Sequence, residues 1–157
     1  MATLLPAYHI GIVVADLERA MLEMSENLGV EWHTPFNAPT QILADGEVVK
    51  TVSPRLVYSK QGPAYLELLE QVPDTIWDTP GLHHIGLWSD DVPNESDRLV
   101  AGGLPLVQRD LDMATGATIC YHHTSDDLRL EITDIGRGGP SVANYLSGAY
   151  DQLLLGK

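Results

Sequence analysis

The sequence predicts an α+β fold made of two consecutive βαβββ modules and a C-terminal helix. Three observations predict it. An octet repeats: His9-Ile10-Gly11-Ile12-Val13-Val14-Ala15-Asp16 returns as His84-Ile85-Gly86-Leu87-Trp88-Ser89-Asp90-Asp91, at a constant offset of 75 (84 − 9 and 91 − 16). Each octet reads as a short strand and runs into an aspartate suited to a helix N-terminus, where a carboxylate meets free N–H groups. Each half then closes with two strand-like runs joined by a turn.

The first module is expected over residues 1–72. After Asp16, Leu17, Ala20, Met21, Met24 and Leu28 recur at helical spacing, and Gly29 stops the helix. A second strand is expected near 31–36, and a hairpin over 55–69 turns at Lys60-Gln61-Gly62-Pro63. Residues 73–81, with Pro73, Pro80 and Gly81, read as the linker. The second module is expected over 82–136. Val92, Leu99 and Val100 give its helix a weaker face, ended by Gly102-Gly103. Its strands fall near 106–109, 118–122 and 128–132, the last two joined at Ser125-Asp126-Asp127. The extension 137–157 carries Val142, Tyr145, Leu146, Ala149, Tyr150, Leu153 and Leu154 on one helical face, with Ser141 as cap. That face suits a cover over the module or a dimer contact.

Composition narrows the function. Nine basic and 22 acidic residues give a net charge of −13, which argues against generic nucleic-acid binding and against anionic membrane surfaces. The single cysteine, Cys120, allows no intrachain disulfide, suits a reducing cytoplasm and reads as a small buried hydrophobe. The N-terminal residues carry no signal-peptide pattern, and no apolar run approaches the roughly 18 residues of a membrane span.

Aligning the halves picks out polar residues inside apolar strands. His9 and His84 occupy matching positions in the first strands, and Glu67 and Glu131 in the last. Each glutamate faces out from a one-sided sheet, or points into a concave pocket while its leucine and isoleucine neighbours pack on the helices. Alternation alone does not choose. The combination is more telling, because two imidazoles and two carboxylates at symmetric positions suit a divalent first-row metal such as Zn, Ni, Co, Mn or Fe. Two carboxylates also cancel a 2+ charge, which makes their burial tolerable.

These motifs, Tyr8-His9-Ile10-Gly11-Ile12-Val13-Val14-Ala15-Asp16-Leu17, Tyr65-Leu66-Glu67-Leu68-Leu69-Glu70, Leu82-His83-His84-Ile85-Gly86-Leu87 and Leu128-Arg129-Leu130-Glu131-Ile132, resemble the vicinal oxygen chelate superfamily. Within it, the sequence is most similar to the glyoxalase I and methylmalonyl-CoA epimerase branch. The resemblance covers about residues 7–135. It implies curved mixed sheets around a metal-binding cleft, one divalent ion held by His9, Glu67, His84 and Glu131, and often a homodimer. It implies a small-molecule substrate, gripped through vicinal oxygens so that an enediolate-like intermediate is stabilised. Glu131 is then the first candidate to shuttle a proton next to the carbonyl, with Glu67 facing it.

Strand period two suggests the neighbours. With His84 inward, Gly86 and Trp88 follow; with His9 inward, Gly11 and Val13 follow. The glycines are expected to leave room for substrate and Trp88 to offer an apolar wall, or else ordinary core. His83 is expected to face away. Tyr121 and His123 are taken as substrate contacts, although an exposed hairpin histidine is the competing reading for His122 and His123. An inward Arg55 would clamp a substrate carboxylate or phosphate; the alternative is an exposed edge charge. It stands where the epimerases carry a non-ligand glutamate, so the sequence departs from them there. Lys50, Arg55 and Lys60 could form a basic rim, and Trp32, Trp77 and Trp88 hint at a hydrophobic part of the substrate. The expected function is a metal-dependent isomerase or lyase. The alternatives are a binding or resistance protein of the same fold, an extradiol-type dioxygenase, or a thiol-transferring resistance enzyme.

Overall fold

A computed structural model describes residues 4–113, 116–134 and 146. The elements run β1 (Ala7–Val14), α1 (Leu17–Leu28), β2 (Phe36–Asn37), β3 (Thr40–Ala44), β4 (Glu47–Val52), β5 (Arg55–Tyr58), β6 (Tyr65–Glu70), β7 (Gly81–Ser89), α2 (Val92–Ala101), β8 (Leu106–Asp112), β9 (Thr118–His123) and β10 (Arg129–Asp134). All ten strands join one curled mixed sheet in the order β2-β5-β6-β1-β7-β10-β9-β8-β3-β4. This is an α+β fold with both helices on the outer face.

Both aspartates cap their helices. Asp16 accepts from the Arg19 N–H, and Asp91 from that of Asn94. Gly29, at φ 71°, ends α1 and returns its N–H to the Met24 and Ser25 carbonyls. That left-handed angle is one that only glycine adopts without cost.

The sheet buries two faces of different character. Leu68 and Val57 pack with Leu17 beneath α1. Ile132 and Cys120 pack with Val92 and Leu99 beneath α2. The opposite, concave face carries Tyr8, Tyr58, Trp77 and Tyr121. The glutamates therefore point into the concave face while their aliphatic neighbours meet the helices, which resolves the alternation left open by the sequence.

The second-strand expectation near 31–36 is corrected. Trp32 makes only an isolated bridge to Ser59, and the strand proper is Phe36–Asn37. The hairpin β3–β4 was not anticipated. It turns at Asp45-Gly46, both at positive φ, and lays β3 antiparallel along β8. The C-terminal helix expected over 137–157 lies outside the described residues apart from Leu146, which is helical and packs on the concave-face cluster.

Candidate metal centre

The central seam of the sheet builds the site. β1 and β7 run antiparallel with His9 opposite Gly86 and Gly11 opposite His84. β6 and β10 flank them in parallel, placing Glu67 beside Gly11 and Glu131 beside Gly86. Four side chains from four strands thus converge. One donor atom from each of His9, Glu67, His84 and Glu131 lies within 4.8 Å of the others, and all four residues are buried.

The contacts are short. His9 Nε2 lies 2.6 Å from His84 Nε2. Glu67 Oε2 lies 3.3 Å from His9 Nε2 and 3.1 Å from His84 Nε2. Glu131 Oε2 lies 3.1 Å from His84 Nε2. Burial alone would raise the pKa of both carboxyls. The neighbouring histidines outweigh it, His9 first for Glu67 and His84 first for Glu131, and hold both below the usual carboxylate range. Burial pulls His84 down, but Glu131 and then Glu67 bring it up to about 10.

A divalent ion fits these residues. Glu67 Oε2, which points into the cluster, is buried without a hydrogen-bond partner. Orphaned buried atoms of this kind are costly unless something satisfies them. The donors are two nitrogens and two oxygens, a set suited to Zn or a similar first-row ion.

Surrounding groups hold these side chains in place. Glu131 accepts from the hydroxyls of Tyr8 at 3.1 Å and Tyr121 at 2.7 Å, and from Thr133. Tyr58, opposite Glu67 across the ladder, hydrogen-bonds that carboxylate. Burial, then the nearby glutamates, pushes all three tyrosine pKa values up, so the hydroxyls stay donors. The expectation that His83 faces away is corrected: it falls at an irregularity in the β1–β7 ladder, and its ring lies beside those of His84 and Tyr121. Its Nε2–H donates to the Ile76 carbonyl at 2.7 Å, and its Nδ1 lies 2.8 Å from His84 Nδ1. Burial and then His84 hold its pKa down at about 4, so it is neutral and its Nδ1 accepts. His84 must therefore donate from Nδ1, which turns Nε2 toward the cluster.

A small cavity of about 60 Å³ opens beside the cluster. Its wall includes Glu67, Glu131, Tyr8, Tyr58, Tyr121, Leu56, Trp77 and Asp110. Tyr121, expected as a substrate contact, is part of that wall. Three other expected substrate contacts lie outside the wall. Arg55 alternates with Leu56 and points to the helix side, where it pairs with Glu18. Trp88 stacks flat on Tyr8, centroids 3.6 Å apart, and backs the wall. His123 sits two pairs further along the ladder than Tyr121, opposite Arg129 at the strand end.

Other expectations are corrected too. Gly11 and Gly86 make room for histidine rings, as a Cβ at either would meet the opposing ring at 2.0 Å. His122 is fully buried under α2, bonded to Ser96 Oγ and the Leu104 carbonyl at 3.0 Å each, and is no exposed hairpin residue. Sequence reasoning missed Tyr8, Tyr58, Asp110 and Thr133. A signal existed for one of them: each glutamate faces a tyrosine across its hairpin, Tyr58 for Glu67 and Tyr121 for Glu131.

Comparison with known proteins agrees with this architecture. The family model described as "Glyoxalase/Bleomycin resistance protein/Dioxygenase superfamily" matches residues 8–121. A methylmalonyl-CoA epimerase from Mycobacterium tuberculosis superposes with a TM-score of 0.62 at 21% identity, covering 91% of this chain and 95% of that one. A methylmalonyl-CoA epimerase in complex with methylmalonyl-CoA gives 0.58 at 21% identity, covering 88% of this chain and 100% of its own. A hypothetical protein from Bacillus halodurans gives 0.60 at 15% identity, covering 87% and 98%. At such identities the likeness shows the fold. No curated protein matches the sequence. Among the described residues, no helix is long and apolar enough to cross a membrane.

Proposed function

The chain belongs to the glyoxalase/bleomycin resistance protein/dioxygenase superfamily, and from that premise we propose that it is a divalent-metal isomerase or lyase acting on a small molecule with vicinal oxygens. The reaction is proton transfer next to a carbonyl. The observation that carries this reading is the buried cluster of His9, Glu67, His84 and Glu131, two donors from each half. These four residues would hold the ion. When bound, it supplies Lewis acidity that stabilises charge developing on a carbonyl oxygen.

The chain's own groups do the rest. Glu131 is the proposed proton carrier, with Glu67 on the facing strand as its counterpart. Tyr8 and Tyr121 donate to opposite oxygens of Glu131 and hold it in one orientation. Leu56, Leu69 and Trp77 exclude water from the wall beside it. Such exclusion strengthens every electrostatic interaction within.

Two readings fit less well. A sequestering protein has no use for four buried ionisable donors, whose desolvation costs several kcal/mol per ion. Extradiol oxygenation uses two histidines and one carboxylate with open positions, and here a second carboxylate points into the cluster. We extend the proposal to a homodimer, because Val48 and Val49 stand exposed on the outermost strand.

Elemental analysis of protein purified without added metal tests the central claim. The expected result is bound ion in wild type and its loss in His84→Ala. A wild type that neither carries nor takes up Zn, Ni, Co, Mn or Fe sinks the proposal. Deuterium exchange into 2-methylacyl-CoA esters and glutathione hemithioacetals then separates epimerase from glyoxalase chemistry.

A further inference from the structure

Asp110 lies in the wall of the same cavity, on β8, and nothing so far uses it. Only 1% of its surface is exposed. Gln108 Nε2 donates to its Oδ1 at 2.8 Å, while its Oδ2 is buried without any partner. A buried carboxyl oxygen of this kind calls for a partner, from water, an ion or a ligand. Burial, and to a lesser degree Glu131, pushes its pKa up to about 7 against the pull of Gln108. Since Oδ1 already accepts, the proton of the acid form belongs on Oδ2.

The rest of the wall bears on charge. Glu67, Asp110, Asp112 and Glu131 all contribute to it, and no Lys or Arg among the described residues does. The expected basic rim is absent there: Lys50 is tied to the Pro73 and Asp74 carbonyls, and Arg55 to Glu18. A divalent ion offsets only the two glutamates. A substrate anion in this cavity would have no basic side chain to meet.

We propose that Asp110 is a substrate-contacting residue whose Oδ2–H donates to an acceptor oxygen at the far end of the substrate, so that the cavity takes an uncharged carbonyl compound in preference to an anionic one. This rests on the function proposed above and narrows its substrate class. Titratable groups surround Asp110: Tyr121 on β9, Glu131 on β10 and Asp112 on its own strand. The adjoining β3 presents Thr40 and Ile42. None of these is cationic, so ionising Asp110 removes the donor and adds charge with nothing to compensate it.

The test uses two probes of equal size, uncharged 1,4-diacetylbenzene and anionic 4-acetylbenzoate. Each is titrated calorimetrically into full-length protein, metal-free and metal-loaded. In wild type at pH 6 the uncharged probe binds about tenfold more tightly than the anion, and it weakens by about tenfold at pH 8.5. Asp110→Asn keeps the shape and a permanent donor, so binding of the uncharged probe is retained and its pH dependence disappears. Asp110→Ala loses about tenfold at pH 6. The idea is overturned if Asp110→Ala binds diacetylbenzene as wild type does. It is equally overturned if 4-acetylbenzoate binds as well as diacetylbenzene. Metal content measured on the same samples addresses the metal reading alone, because the metal-free titrations decide the role of Asp110 by themselves.

Discussion

The ring of His84 fills the space that a side chain on Gly11 would need. A Cβ built on Gly11 falls 2.0 Å from His84 Cε1, and Gly86 stands in the same relation to His9. Each half thus supplies one imidazole and the gap that receives the other. Replacing Gly11 with Ala should push His84 out of the cluster. We expect a loss of ~1–3 kcal/mol in stability from overpacking. Metal affinity should fall with it, as read by chelator competition. Unchanged metal binding in Gly11→Ala would show that the His84 position is not tied to this gap.

His83 fixes the tautomer of His84 through a chain that begins at the Ile76 carbonyl. Substituting His83 with Phe keeps the bulk and removes the acceptor. Outer partners of metal-bound histidines are typically worth ten- to hundredfold in affinity. A metal Kd raised by about that factor, in a variant with native-like circular dichroism, is the expected outcome. A Kd equal to wild type counts against the relay.

Ionisation ties the stability of the metal-free protein to pH. Burial works against the charged form of His84, but Glu131 and Glu67 raise its pKa from 6.5 to about 10. Its contribution is complete below 6.5 and is lost as pH climbs toward 10. Burial likewise opposes the charged forms of Glu67 and Glu131, but His9 and His84 lower both. Their contribution is present above 4.5 and is lost as pH falls through the depressed values. The Tm of metal-free protein should therefore peak between about pH 4.5 and 6.5 and decline on both sides. A Tm that rises steadily from pH 6 to pH 10 would contradict the ion-pair assignment.

Metal should act as a stabilising ligand. Binding to the folded state alone adds about 2.7 kcal/mol at a free concentration one hundred times Kd. Thermal melts with and without a chelator should differ in wild type and coincide in Glu131→Gln paired with His84→Ala. Coincident melts in wild type would argue that the cluster binds no ion.

Much of this was legible because the chain says it twice. The repeated octet placed His9 and His84, and the capping aspartates followed from carboxylate chemistry at helix ends. Glu67 and Glu131 were found by symmetry, while the direction they face was not. Both sheet faces carry apolar residues, one against the helices and one against the cavity, so period two was blind to the choice. Arg55 stayed open between an inward and an edge position for that same reason, and the structure sends Leu56 inward instead. The hairpin of β3 and β4 was overlooked although its Asp45-Gly46 pair is a strong turn signal. It has no counterpart in the second half, so the internal repeat does not reveal it. Asp110 escaped because burial of a lone strand aspartate depends on what lies across from it, and that strand, β3, belongs to the unrecognised hairpin.

That hairpin has a mechanical consequence. The halves are joined along β1 and β7, and a second time where β3 of the first half pins the outer strand of the second. A pair of jaws fixed at one edge can swing. Jaws fixed at two cannot, unless one ladder of hydrogen bonds is torn. Any molecule that this cavity takes would therefore meet a shape set largely before it arrives.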